Sequence, residues 1–180
     1  MGGVEIYRMA VRCAVNDELK EEGQEYLEQT EHHVEVLRGV FDELGLDGEA
    51  DTPGRGVVKH IGEALVQAME MALEAGDGAA AELVAAECVV HAETKDHLDW
   101  ELIGMVGDKR KDEVGRALKA AHEEVEEEED EHLYHATGWT RELWIQSLGM
   151  PAVLPPPEEQ KDVKTAIGAA RAKGAREDMT

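Results

Sequence analysis

Between Glu123 and His135 the chain reads Glu-Glu-Val-Glu-Glu-Glu-Glu-Asp-Glu-His-Leu-Tyr-His. A helical heptad pattern runs through this stretch: Val114, Leu118, Ala121, Val125, then Glu128, His132, His135, then Trp139. The alternating four- and three-residue steps put all eight positions on one helix face. Apolar residues hold both ends of that face, while a carboxylate and two imidazoles hold its middle. Ionisable groups buried without partners cost several kcal/mol, so these need counter-charges or a metal ion. Glu129-x-x-His132, with Glu128 one residue earlier, has the spacing that helical bundles use for carboxylate-bridged metals.

Two further segments repeat the arrangement. A helix expected over 18–44, capped by Asn16 or Asp17, carries the stripe Leu19, Gly23, Tyr26, Thr30, His33, Leu37, Phe41 and Leu44. Thr30 and His33 stand at its middle, with Glu28, Glu31 and His32 on the flanks. A helix over 79–106 offers two competing stripes. One is Leu83, Ala86, Val90, Glu93, His97 and Trp100; the other is Val84, Glu87, His91, Leu98 and Leu102. Each holds a Glu followed four residues later by a His, and periodicity does not choose between them.

The midpoints of neighbouring helices in an antiparallel bundle lie at similar heights, so the three polar middles would converge. Carboxylates with one or two imidazoles suit iron or manganese in a dinuclear centre better than zinc, whose structural sites use thiolates. The two cysteines, Cys13 and Cys88, make no metal-type pair and read as reduced core thiols. His60 and His122 read as surface residues, His135 as a hydrogen-bonding cap or a ligand, and Trp100 and Trp139 as core fillers. Glu123, Glu126, Glu127 and Asp130 read as a solvated face.

The remaining pattern positions these groups. Short helical signals cover 4–14, with Ile6, Met9, Ala10, Cys13 and Ala14 inward, and 57–75, with Ile61, Leu65, Ala68 and Ala72 inward. Asp-Gly and Pro-Gly pairs make 47–55 a loop. The acid-rich helix spans 112–148, with a kink or break expected at Gly138. Beyond Gly149-Met150-Pro151, the run Pro155-Pro156-Pro157 predicts a stiff polyproline segment and 161–173 a short helix with Val163, Ala166, Ile167 and Ala170 on one side. The expected organisation is an all-α bundle over 1–150 with a proline-rich arm over 151–180, packed across its own bundle or onto a neighbouring subunit.

With 41 acidic against 18 basic residues and a formal charge of −23, the surface repels a phosphate backbone. Nucleic acid is therefore an unfavourable partner and divalent cations a natural one. No apolar run approaches the ~20 residues of a spanning helix, and no charged-then-apolar export pattern opens the chain, so a cytoplasmic protein without membrane contact is expected.

Tyr26-Leu27-Glu28-Gln29-Thr30-Glu31-His32-His33-Val34, continuing through Leu37 and Val40-Phe41 to Leu44-Gly45, resembles the YciE/YciF-type ferritin-like stress protein family. That family reads His-Leu-Glu-(Glu/Gln)-Thr-x-x-His-Val before Leu, Val-Phe and Leu-Gly. Arg8-Met9-Ala10, Glu18-Leu19-Lys20, Ala85-Ala86 through His91-x-Glu93, and more loosely Val125 to Glu129 also fit. The likeness covers about residues 8–135 and is strongest over 18–45.

The resemblance implies a ferritin-like four-helix bundle with a long crossover containing a helix. It also implies a homodimer or higher assembly, and a di-iron or di-manganese centre reacting with oxygen or peroxide in stress protection. Carried over residue by residue, the implied metal ligands are Glu28 and His33, then Glu93 rather than Glu87, then Glu128, Glu129 and His132. The chain departs from the family in a shorter first helix, in which Glu5 is the only acid. It also has Thr30 where ferritin-like proteins generally place a ligand Glu, which leaves a site that is mononuclear, degraded or completed by Glu31. A metal-free helical scaffold serving interactions in stress is the competing expectation.

Overall fold

A computed structural model describes residues 2–180, and among these every regular element is helical: α1 (Gly2–Cys13), α2 (Asp17–Glu43), α3 (Pro53–Glu74), α4 (Gly78–Lys109), α5 (Glu113–Ser147), α6 (Pro157–Gln160) and α7 (Ala166–Gly174), closed by a 3-10 turn at Arg176–Asp178. The all-α expectation holds. Local chemistry sets the boundaries. The Asn16 side chain accepts from the amides of Glu18 and Leu19, Thr52 from Arg55 with Pro53 just inside the helix, Asp77 from Ala80, and Asp112 from Gly115. Gly45, Gly76 and Gly149 end α2, α3 and α5 at positive φ, where a side chain would be strained.

The long helices α4 and α5 form an extensive antiparallel pair, α2 packs on α5, and α1 packs on α2, α3 and α4. Apolar burial falls into two clusters. One gathers Ile6, Tyr7, Met9, Cys13, Tyr26, Met69, Ala81, Ala85, Cys88, Val89 and Ala136. The other gathers Val40, Trp100, Ala117, Ala121 and Val125. Along α2, α4 and α5, the buried polar residues His33, Glu93, Glu129 and His132 fall between these clusters. Near its C-terminal end α4 approaches α5 so closely that a Cβ on Gly107 would lie 2.8 Å from the Lys119 amide nitrogen, so glycine permits the crossing. No helix among the described residues is long and apolar enough to cross a membrane.

Three expectations need correction. On α3, Leu65, Ala68 and Ala72 pack against the core as expected, with Met69 buried beside them, while Ile61 stays exposed. On α2, Phe41 is exposed and Val40 is buried instead. Helix α5 runs unbroken through Gly138, whose role lies elsewhere: a Cβ there would meet Glu158 Oε2 at 2.7 Å and Pro156 Cβ at 3.1 Å.

That close approach seats the C-terminal segment. Glu142, fully buried on α5, accepts from the Val153 amide at 2.8 Å, Arg141 Nε at 2.9 Å and Arg176 Nε at 2.7 Å. Arg141 donates a second, forked pair to buried Glu158 at 2.6 and 2.8 Å. The segment therefore lies across its own bundle, with Val153, Val163 and Ala172 buried and Ile167 left exposed. The expected helix over 161–173 is shorter and later, as α7.

Candidate metal centre

His33 is the residue around which the other polar groups collect. Only 3 % exposed, it lies with Nε2 2.7 Å from Glu128 Oε2 and Nδ1 2.6 Å from Glu129 Oε1. Burial alone would lower its pKa, but the two carboxylates outweigh that and raise it, so imidazolium is favoured between them. The His132 ring stacks on His33 at 5.7 Å between centroids and behaves oppositely. Burial, then the neighbouring His33 and His135, push its pKa well down, leaving a neutral imidazole. Gln29 Oε1 lies 2.6 Å from His132 Nε2 and, as a carbonyl oxygen, accepts its N–H. The remaining lone pair is thereby assigned to Nδ1, which faces Glu93 Oε2 at 3.8 Å.

One ligand atom from each of His33, Glu129 and His132 lies within 4.8 Å of the others, all three residues being buried. Glu93 is 3 % exposed, and burial, with Glu129 and Asp96 nearby, raises its pKa well above the usual range. Asp96, one turn along α4, is pushed up to about 7 by burial and Glu129, with His33 opposing. Tyr7 from α1 lies beside Glu93, its phenol pKa raised by burial and by that carboxylate. His33 Nδ1, Glu93 Oε2, Glu129 Oε2 and the Tyr7 hydroxyl all lack a hydrogen-bond partner with proper geometry. Buried orphans of this kind cost roughly 1–3 kcal/mol each. A cation with oxygen and nitrogen ligands would satisfy the acceptors together, so the donor set fits a metal ion and, having no thiolate, suits iron or manganese.

Of the residues expected in the centre, the structure gathers His33, Glu129, His132, Glu93 and, half-buried at the edge, Glu128. Glu28 is exposed on α2 and stands apart from the group. Glu31, the substitute for the missing Glu at Thr30, is also outside, paired with Arg8 at 2.7 Å. Glu5 bonds the same arginine at 2.7 Å on the surface. On α4 the first stripe is the inward one, with Ala86, Glu93 and Trp100 buried. His97 turns to Asp130 at 3.2 Å, His91 is exposed, and Glu87 accepts from Trp144 Nε1 at 2.8 Å. His60 is exposed, and both cysteines are buried and free.

His135 joins a separate group one turn on. Its Nδ1 lies 2.8 Å from Glu22 Oε1 and 3.0 Å from the Tyr26 hydroxyl, at the edge of a hollow lined by Glu18, Glu21, Glu25, Glu131 and Glu159. Tyr26 links this group to the centre, its ring lying 4.1 Å from that of His132.

Tyr7, Gln29 and Asp96 were not expected. Asp96 carried a signal, three residues after Glu93 on the same helix. Tyr7 and Gln29 carried none, because a lone tyrosine in a short amphipathic helix reads as core and a glutamine beside an acidic run reads as surface. No family model, curated protein or solved structure matches the chain.

Proposed function

We propose that the chain is a ferritin-like metalloprotein of the YciE/YciF stress-protein kind, holding iron or manganese at the His33–Glu129–His132 centre. The observation that carries this reading is the meeting of those three buried side chains from two helices within 4.8 Å. Glu93, with Oε2 3.8 Å from His132 Nδ1, and Glu128, 2.7 Å from His33 Nε2, are the further acids that support a dinuclear centre. In this reading α1, α2, α4 and α5 are the four sides of the bundle, and the 44–77 connection, with α3 inside it, is the crossover. The assembly is a homodimer or higher oligomer.

When bound, a redox metal with an open position would supply electron transfer to oxygen or peroxide. The chain's own contribution is definable. Gln29 fixes the His132 tautomer with the lone pair on Nδ1. Glu128 and Glu129 hold a proton on His33 until a cation displaces it. Trp100, 6.3 Å from the His33 ring centroid, and Val125 close one side against water.

A second reading is favoured by one observation: the His33–Glu128 and His132–Gln29 bonds already partner both imidazoles without a metal. The chain would then be a metal-free stress-associated scaffold. Titrating iron(II) or manganese(II) into metal-free protein while recording its thermal unfolding separates the two. The metalloprotein reading expects a midpoint that rises and saturates at a fixed ratio of metal to chain, with the rise abolished in His132→Ala. An unshifted midpoint in the parent protein favours the scaffold.

A further inference from the structure

The apolar cluster beside the centre is not filled. Between α1, α2, α4 and α5 lies a cavity of about 40 Å³ whose wall is almost wholly carbon. Ala10, Ala85, Ala86 and Ala136 line it beside the larger Leu19, Val89 and Trp139, and the small side chains leave the gap. The two carboxylates at its rim are occupied. Glu82 accepts from the amides of Val15 and Asn16 at 2.8 and 2.6 Å, and Glu22 serves Tyr26 and His135. The wall offers a water molecule few of the two to four polar partners it needs, so the space favours small apolar molecules.

Its position gives the cavity a purpose. Tyr7 and Tyr26 both line it, and their rings lie 6.0 and 4.1 Å from that of His132. One aromatic layer therefore separates the cavity from the candidate centre. Tyr7 is 3 % exposed, and its hydroxyl has no hydrogen-bond partner.

We propose that this cavity is the seat of dioxygen on its way to the centre, and that dioxygen rather than hydrogen peroxide is the oxidant the chain selects. The selection rests on the metal-binding reading above; the occupancy of the cavity does not. Dioxygen is apolar and gives up no hydrogen bonds on entering. Hydrogen peroxide would lose its bonds to water against a carbon wall, a penalty of kcal/mol size per unpaired group.

The test uses the full-length, metal-free protein under dioxygen pressure, with nitrogen as the reference gas. Paramagnetic relaxation of the Ala85, Val89 and Ala136 methyl resonances is expected to exceed that of Val125, Val163 and Ala172, which are as deeply buried but line no part of the cavity. Equal relaxation in the two sets overturns the proposal. Ala136→Leu fills the space and is expected to lose the enhancement; should that variant fail to fold, Ala136→Val serves as the milder filling. Retention of the full enhancement in a folded, filled variant also overturns it. In protein loaded with iron(II), filling the cavity is expected to slow oxidation by dioxygen and leave oxidation by hydrogen peroxide unchanged. If both oxidants slow alike, the selection is refuted. If the parent protein takes up no iron, the metal reading falls separately, and the methyl relaxation still decides whether the cavity holds dioxygen.

Discussion

His33 and His132 stack on each other yet titrate in opposite directions, and that opposition defines the residue-scale chemistry. The first is a protonated placeholder between two acids; the second is a neutral donor aimed by Gln29. Around them Glu93 and Asp96 carry raised pKa values because burial and Glu129 disfavour further negative charge. Replacing Glu93 by glutamine keeps the shape and removes that strain. Metal-free Glu93→Gln is expected to be more stable than the parent near neutral pH while losing metal affinity, as chemical denaturation and metal titration would show.

Asp96 gives the pH dependence its sign. Its folded pKa, about 7, lies above the ordinary aspartate value, so the native state holds the proton more tightly. The resulting stability is fully present below about pH 4 and is lost as pH rises through about 7. Asp96→Asn is therefore expected to match the parent at low pH and to exceed it by roughly 2–4 kcal/mol at pH 8. Denaturation of both proteins across that range checks it, and a gap that does not widen with pH would contradict the assigned environment. Metal uptake must displace these protons, so affinity is expected to rise with pH over the same window. The heptad stripe pointed to Glu128, yet Glu129 is the fully buried acid. Both lie within one turn of His132, and a face read from sequence does not resolve neighbours so close in angle.

Among the elements, the polar middles of α2 and α5 were legible because apolar residues flank them on both sides at helical spacing. Helix α4 was ambiguous, because alanine and valine surround its acids on every side. Only the family resemblance favoured Glu93 in advance, and Glu93 is the one that meets His132 of α5. On α3 the stripe was legible at Leu65, Ala68 and Ala72 and failed at Ile61, which belongs with Val57 and Val58 to an apolar start that the fold leaves exposed. No sequence pattern announced the ion network that holds the arm, since its members, Arg141, Glu142, Glu158 and Arg176, are scattered along the chain. Glu142 is the anchor. Burial would raise its pKa, but Arg176, the Val153 amide and Arg141 more than compensate and lower it. Its contribution is thus present above the ordinary glutamate range and is lost as acid drives pH down through its lowered folded value. Glu142→Ala is expected to cost about 3–5 kcal/mol by leaving Arg176 without its carboxylate and the buried Val153 amide unpaired, and to open the segment after Met150 to proteolysis. Gly138→Ala should loosen the same seat by pushing Glu158 off α5, for about 1–3 kcal/mol in an unfolding titration.

For the whole molecule, the charge of −23 was plain from composition and works against compactness through self-repulsion. Raising sodium chloride from about 0.01 to about 0.15 M shortens the screening length from about 30 to about 8 Å and is expected to raise the unfolding midpoint. Calorimetry at the two concentrations checks this, and an unchanged midpoint would show that the surface acids are already compensated. The all-helical class and the acid–imidazole convergence were both readable in advance; the packing that separates Glu28 from the centre and draws in Asp96 and Tyr7 was not. The central claim is that imidazoles and acids from separate helices share a cation inside the bundle. Anomalous diffraction at the iron and manganese edges, from crystals of protein grown and purified with those metals, tests it most directly. The account predicts a peak between His33 and His132, within coordinating distance of Glu129. Featureless anomalous density there, or a peak confined to the outer hollow of Glu22 and Glu131, would contradict it.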